Sequence, residues 1–206
     1  LFQPTSPVWG DDQRNGSCAG GHAHISIHIP RVEDDAVLIS IRPEWVEKIL
    51  CGGKTLEVRK TRPKLETPFK VYIYCTAGNL SYEVNNGMMC NISGGKLVVG
   101  EFVCDRIERI SGYVDIKNLQ SDFVGSCLSP YQIEAYLNGK DGYMWHISKL
   151  EIYDTPKPLR AFKGLCKIEA DCGCCPYYNY TKMDCDGRTI KRPPQSWCYV
   201  EELKNE

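Results

Sequence analysis

Apolar residues fall on two rhythms along the chain, and each change of rhythm marks a new element. Ala36 to Ile41 is continuously apolar and β-prone, which predicts a buried strand. From Pro43 to Cys51 the spacing lengthens to four: Trp45 with Ile49 and Val46 with Leu50 form the stripe of a short helix. Pro43 suits its first turn, and Gly52 and Gly53 supply the left-handed cap that ends it. From Thr55 to Lys60 the pattern alternates, Leu56 and Val58 on one side and Thr55, Glu57 and Arg59 on the other. Phe69 to Thr76 is a second alternating strand, with Val71 and Ile73 facing away from Tyr72 and Tyr74.

Ala77 to Gly95 is polar, carries Asn85-Asn86-Gly87 and Gly94-Gly95, and reads as a long loop. Lys96 to Arg106 predicts a strand running towards Ile110. Gly100 inside it points to a bulge or a close backbone approach, and Glu101 is expected on the face of Val99 and Val103. Ser129-Pro130-Tyr131-Gln132 has capping-box chemistry, so Pro130 to Leu137 is a short helix stopped at Asn138-Gly139. Asp141-Gly142 then turns into a strand from Tyr143 to Tyr153, closed off by Pro156 and Pro158. Many strands, two short helices and no βαβ rhythm argue for an α+β fold built on a small barrel rather than a doubly wound sheet.

Composition divides the chain into three parts. Residues 1–35 are rich in Gly, Pro, Ser and Asp and read as a flexible arm or an appended segment; His22, His24 and His28 within it fit a solvated cluster better than a metal site. Residues 36–163 carry the periodic elements. Residues 164–206 are Cys- and Tyr-rich and poor in aliphatics, a composition that needs a staple rather than a core. The 12 Cys of the 206 residues fall short of the roughly 8–10% typical of disulfide scaffolds, and Cys75 and Cys104 sit in apolar strands as buried small hydrophobes. That usage, with no basic-then-apolar leader and no run of about eighteen apolar residues, suggests a cytoplasmic chain with no membrane contact.

Net charge is −1, so no global field favours nucleic acid. From Arg42 to Lys70, however, eight Lys/Arg face four Glu, so this stretch is locally basic. Lys54, at the mouth of the strand that carries Glu57 and Arg59, is the first candidate for chemistry. It can reach a phosphate or polarise a carbonyl, and desolvated beside Arg59 it becomes a base or nucleophile. Glu57 can orient it or accept from an exocyclic amine. The alternation alone fits a solvated edge strand with an ordinary ion pair slightly better. Tyr74, Trp145 and Trp45 are candidates to stack a base, although Trp45 reads first as core packing. His146, beside Trp145, is a possible acid/base group and more often a structural one.

The run Gly53-Lys54-x-x-Glu57-x-Arg59, after a helix opened by proline, resembles the signature of the ASCH (activating signal cointegrator homology) domain of the PUA-like superfamily. Val37 to Trp45, Val71 to Cys75, Val98 to Val103, Gly142 to Ile147 and Pro156 to Leu159 extend the resemblance over about Val37 to Lys163. It implies a PUA-like small β-barrel with flanking short helices, and a cleft beside the helix that handles RNA or a nucleobase or nucleoside. Arg42, Lys54, Glu57, Arg59, Tyr74 and Trp145 are the expected ligand-binding set, with Lys54 and Glu57 catalytic if there is turnover. Some small family members resemble N4-acetylcytidine amidohydrolases that use a Lys, a Thr and a Glu. Their Lys matches Lys54, but the position of their Thr is Glu57 here, which favours binding over hydrolysis. A ribonuclease or a protein-binding scaffold stays open.

In the tail, Cys172-x-x-Cys175 with Cys185 and Cys198 suits one structural Zn²⁺ that pins the segment to the barrel. Cys166 or Cys174 as substitute ligands, or free or disulfide-bonded thiols, are the alternatives.

Overall fold

The computed structural model describes residues 35–83, 87–112, 123–165, 178–179, 184–185 and 188–203, the two short pairs by their backbone alone. The alternation of Ile25, Ile27 and Ile29 with Ser26 and His28, which allows a short edge strand, and the cluster of His22, His24 and His28 lie outside these. In order, the elements are β1 (Asp35–Ile41), α1 (Pro43–Leu50), β2 (Leu56–Arg59), β3 (Phe69–Cys75), β4 (Leu80–Glu83), β5 (Met89–Ile92), β6 (Leu97–Ile110), α2 (Pro130–Leu137), β7 (Gly142–Pro158), β8 (Tyr178–Asn179), β9 (Asp184–Cys185) and β10 (Trp197–Glu201). A 3-10 turn at Val124–Ser126 precedes α2. The fold is α+β.

Six strands form one sheet in the order β10-β1-β3-β6-β7-β2. Only β1 and β3 run parallel, with α1 and β2 in the crossover between them. Strands lie about 4.8 Å apart, so four steps across a flat sheet would separate β10 from β7 by about 19 Å. Yet the rings of Trp197 on β10 and Trp145 on β7 are 6.0 Å apart, so the sheet curls round on itself. The curl is not completed by strand pairing, and the expected barrel is corrected to that extent. Among the described residues no backbone ladder joins β2 to β10 or β1. The seam is bridged by Arg59, which donates to Ser40 O at 2.8 Å and to Ser196 Oγ at 3.3 Å.

Alternation places the core as the sequence indicates. Val37, Ile39, Ile41, Val71 and Ile73 point into the curl with Phe102 and Trp145, capped by Val46 and Ile49 of α1. Ala36, Leu38, Tyr72 and Tyr74 point outward into a second cluster covered by Phe162 and Val200. A third cluster sits under α2, where Ile133 and Leu137 meet Leu56, Val58 and Met144. Ser129 and Gln132 form the expected capping box, and Asn138 ends α2 in the left-handed conformation.

Three sequence expectations change. Ala77 to Gly95 is not a plain loop: β4 and β5 form a hairpin that buries Leu80, Tyr82 and Ile92 against the main core. Its alternation of Leu80 and Tyr82 with Ser81 and Glu83 was masked by the surrounding polar residues. Glu101 does not share the face of Val99. The register shifts between Val98 and Gly100, Val99 turns into the inner core, and Glu101 pairs across to Tyr72 and bonds Lys70 and the Tyr153 hydroxyl. A second shift, beside Lys149 at φ 46°, lets Ile147 and Leu150 both reach the inner core. Finally, Trp197–Glu201 of the expected tail is a strand of the main sheet. β10 pairs antiparallel with β1, and Val200 is fully buried. Trp197 does cover apolar surface, stacking between Trp145 and Tyr199.

Gly100 answers the sequence hint of close approach, since a Cβ there would lie 2.4 Å from Glu151 O across the β6–β7 ladder. Gly100→Ala must push the two longest strands apart and is expected to lose about 1–3 kcal/mol. The check is the urea midpoint at unchanged slope.

Candidate functional site

The site is assembled where α1 ends. Gly52, at φ 76°, turns the chain out of the helix, and Lys54 N donates back to Lys48 O at 2.7 Å. That folds Lys54 against the helix end instead of out into solvent. Thr55 N donates to Gly125 O at 2.8 Å, which draws the 3-10 turn onto the start of β2. The Lys54 ammonium then reaches Leu56 O and Ser126 O, each at 2.7 Å, and Glu57 Oε2 at 3.3 Å. Two carbonyls accept from it and the carboxylate adds an ion pair. On its other side Glu57 Oε1 lies 2.9 Å from Arg59 Nε, an ion pair without the alignment of a hydrogen bond. The guanidinium spends its other nitrogens on Ser40 and Ser196.

Lys54, Glu57 and Arg59 are only 2%, 7% and 8% exposed. The plainer reading of this strand, a solvated ion pair, is therefore overturned: all four residues of β2 are buried. Opposite charges stacked this closely compensate the cost of burial only because every group also has a partner.

The triad forms the floor of a cleft of about 660 Å³, a volume suited to one small organic ligand. Trp45 forms one wall. It is partly buried rather than fully in the core, with the Lys48 and Lys54 ammonium groups 4.7 and 5.5 Å from its ring centre. Tyr74 is 3% exposed and borders the cleft, and burial raises its hydroxyl above the usual phenol range. Arg42 stands at the rim with its side chain 77% exposed. Of the expected ligand set, five residues thus meet around one space. Trp145 does not: it is wholly buried between Phe69 and Trp197, opposite Glu57 in the β2–β7 register, and takes no part in the cleft wall. His146 lies apart too, on the surface between Arg106 and Glu108 at 3.2 Å each.

Residues not singled out from the sequence complete the walls: Thr76 and Lys96 at the ends of strands, Gln132 and Tyr136 on α2, and Pro193 to Ser196 before β10. The last group is tied down by Ser40 N donating to Ser196 O at 2.9 Å and Ser40 Oγ donating to Pro194 O at 2.7 Å. The alternation of Trp197 and Tyr199 with Cys198 and Val200 was the available sign that a strand follows.

Of the proposed zinc ligands, Cys172 and Cys175 lie outside the described residues, and Cys185 is described by backbone only, paired with Tyr178. Cys198 packs on the second core cluster, where burial pushes its thiol up to about 11. A zinc ion there would have to draw off that proton. Cys75 and Cys104 are buried as expected, their thiols pushed up to about 11 and 12.

No family model matches the chain, and no curated protein sequence does. Among solved structures, the chain is similar to ASCH from Zymomonas mobilis, at 19% identity over 80% of this chain and 86% of that one, with a TM-score of 0.48. A point mutant of the same protein aligns at 21% identity over 60% of this chain and 76% of that one, with a TM-score of 0.44. These are ASCH structures, the family whose signature the Gly53 to Arg59 motif resembles. Among the described residues no helix is long and apolar enough to cross a membrane.

Removing the central charge should be costly. Glu57→Gln leaves two buried cations without their anion and is expected to lose about 3–5 kcal/mol. Arg42→Gln, at the exposed rim, should stay within about 0.5 kcal/mol. Urea denaturation of both variants checks this, and adding Lys54→Met to Glu57→Gln should cost far less than Lys54→Met alone.

Proposed function

We propose that the protein binds RNA or a modified nucleoside by taking a base into the cleft above Lys54, Glu57 and Arg59, and does not turn it over. The observation that carries this reading is the buried Glu57 carboxylate on the cleft floor. Held by two cations, it is an anchored acceptor for the amino edge of a base. Trp45 supplies aromatic surface beside it, against which a base can stack, and Tyr74 borders the same space. Turnover is disfavoured by the same geometry: Lys54 donates to two carbonyls and is ion-paired to Glu57, so its nitrogen is held by the protein and not presented to a substrate.

Titration with cytidine, N4-acetylcytidine and a short RNA should raise the melting temperature with ligand concentration. Trp45→Leu, which keeps apolar bulk over the core but has no π face, should weaken binding about tenfold. No product should appear by chromatography with either N4-acetylcytidine or RNA. Product whose formation is lost in Lys54→Ala would establish a hydrolase in place of a binding module.

The Cys-rich stretch carries a separate proposal, one Zn²⁺ on Cys172, Cys175, Cys185 and Cys198. Four thiolates leave no open coordination position, so its role would be structural. Elemental analysis of protein purified without added metal should find about one zinc per chain. Less than half of that, with these thiols open to native alkylation, would remove the site.

A further inference from the structure

The free positive charge of the cleft is at its rim, not its floor. Lys54 and Arg59 share Glu57, whereas the other two cations that line the cleft, Arg42 and Lys96, are weakly held. Arg42 has only Glu44 at 3.9 Å, both side chains more than half exposed, and Lys96 has no ion-pair partner among the described residues.

Topology brings these two together. β1, β3 and β6 are adjacent, and their registers align Ile41 with Cys75 and Cys75 with Leu97. The next residues outward are Arg42, Thr76 and Lys96, a row at one end of the sheet. Pairing continues into that row: Thr76 N donates to Ile41 O and Lys96 N to Cys75 O, both at 2.9 Å. Two strand spacings put the Arg42 and Lys96 backbones about 10 Å apart, with Thr76 between them. All three line the cleft, and two long cationic side chains rooted that far apart have the reach to hold one phosphoryl group. Lys96 also holds φ 66°, a left-handed conformation costly for a side chain with a Cβ. Gly95 before it could not be replaced without collision, since a Cβ would meet Thr76 O at 2.0 Å. The backbone thus fixes Lys96 beside Thr76 at a conformational cost.

From this we infer that Arg42, Thr76 and Lys96 form a phosphate subsite, and that the ligand is a nucleotide unit rather than a free nucleoside. This rests on the reading that a base occupies the cleft. The phosphoryl group is a monoester of a small nucleotide or a diester of an RNA chain, and both present the same oxygens to the row.

The test titrates the whole chain at low salt with cytidine, its 5′- and 3′-monophosphates, a short oligoribonucleotide and inorganic phosphate, reading heat and backbone amide shifts. The phosphorylated ligands should bind at least about tenfold tighter than cytidine. Inorganic phosphate alone should shift the amides of Thr76 and Lys96. Arg42→Gln with Lys96→Gln should abolish both effects and leave the denaturation midpoint in place. A monophosphate as the tightest ligand supports the subsite and assigns a small nucleotide, while the oligoribonucleotide as the tightest supports it and assigns the RNA backbone. Equal binding of cytidine and its monophosphates, or a phosphate preference that survives the double variant, overturns the subsite and leaves the base reading standing. If no nucleoside or nucleotide binds, the base reading falls, and the response of Thr76 and Lys96 to inorganic phosphate then decides the subsite by itself.

Discussion

A single carboxylate holds the architecture at its weakest line. Glu57 pairs with Lys54 through one oxygen and with Arg59 through the other, and both cations then reach out to structure elsewhere. Lys54 fastens the 3-10 turn through Ser126 O, and Arg59 fastens β1 through Ser40 O and the segment before β10 through Ser196 Oγ. Three charges under one roof are unfavourable unless each is matched, and the matching groups come from four separate stretches of chain. The requirement to satisfy the triad is therefore also the requirement that those stretches converge. Where backbone pairing leaves the sheet unclosed, side-chain electrostatics close it.

This explains what could and could not be seen in the sequence. The elements that were legible have local causes. β1 and β3 show their faces by alternation, α1 by its four-residue stripe and glycine cap, and α2 by its Ser129–Gln132 box. The motif from Gly53 to Arg59 was legible as a candidate, but not its burial, because nothing near it in sequence announces Ser40, Ser126 and Ser196 as its partners. The phase of Glu101 was misread for a related reason. A bulge at Val98–Gly100 flips every later residue of a strand to the other face, and only the neighbouring strand reveals it. Trp145 and Tyr74 look alike in sequence as aromatics on strands, yet one is sealed behind Trp197 and the other borders open space. That difference is set by β10, the strand whose membership of the sheet the Cys-rich composition concealed.

The site also separates two electrostatic tasks by depth. At the floor, charges are paired and fixed, which gives orientation with little net field. At the rim, Arg42 and Lys96 are solvated and weakly paired, which gives attraction with little orientation. On the proposed reading, an anion is drawn in by the edge and its attached group is read at the base, without asking either set of residues to do both.

Pro193 and Pro194, next to the Arg59 seam, carry a last consequence. Neither has an N–H, so the chain that leads into β10 can accept from Ser40 but cannot donate a ladder of its own. Strand pairing with β1 reaches Ile39 and Trp197, and one further backbone bond, from Ser40 N to Ser196 O, follows before the chain comes to the prolines. Were those two residues ordinary amino acids, the ladder could zip on past Ser40, draw the wall inward and knit the seam shut over the triad. The proline pair acts as a stop on a zip: it lines the cleft with backbone that has no amide to pair across it.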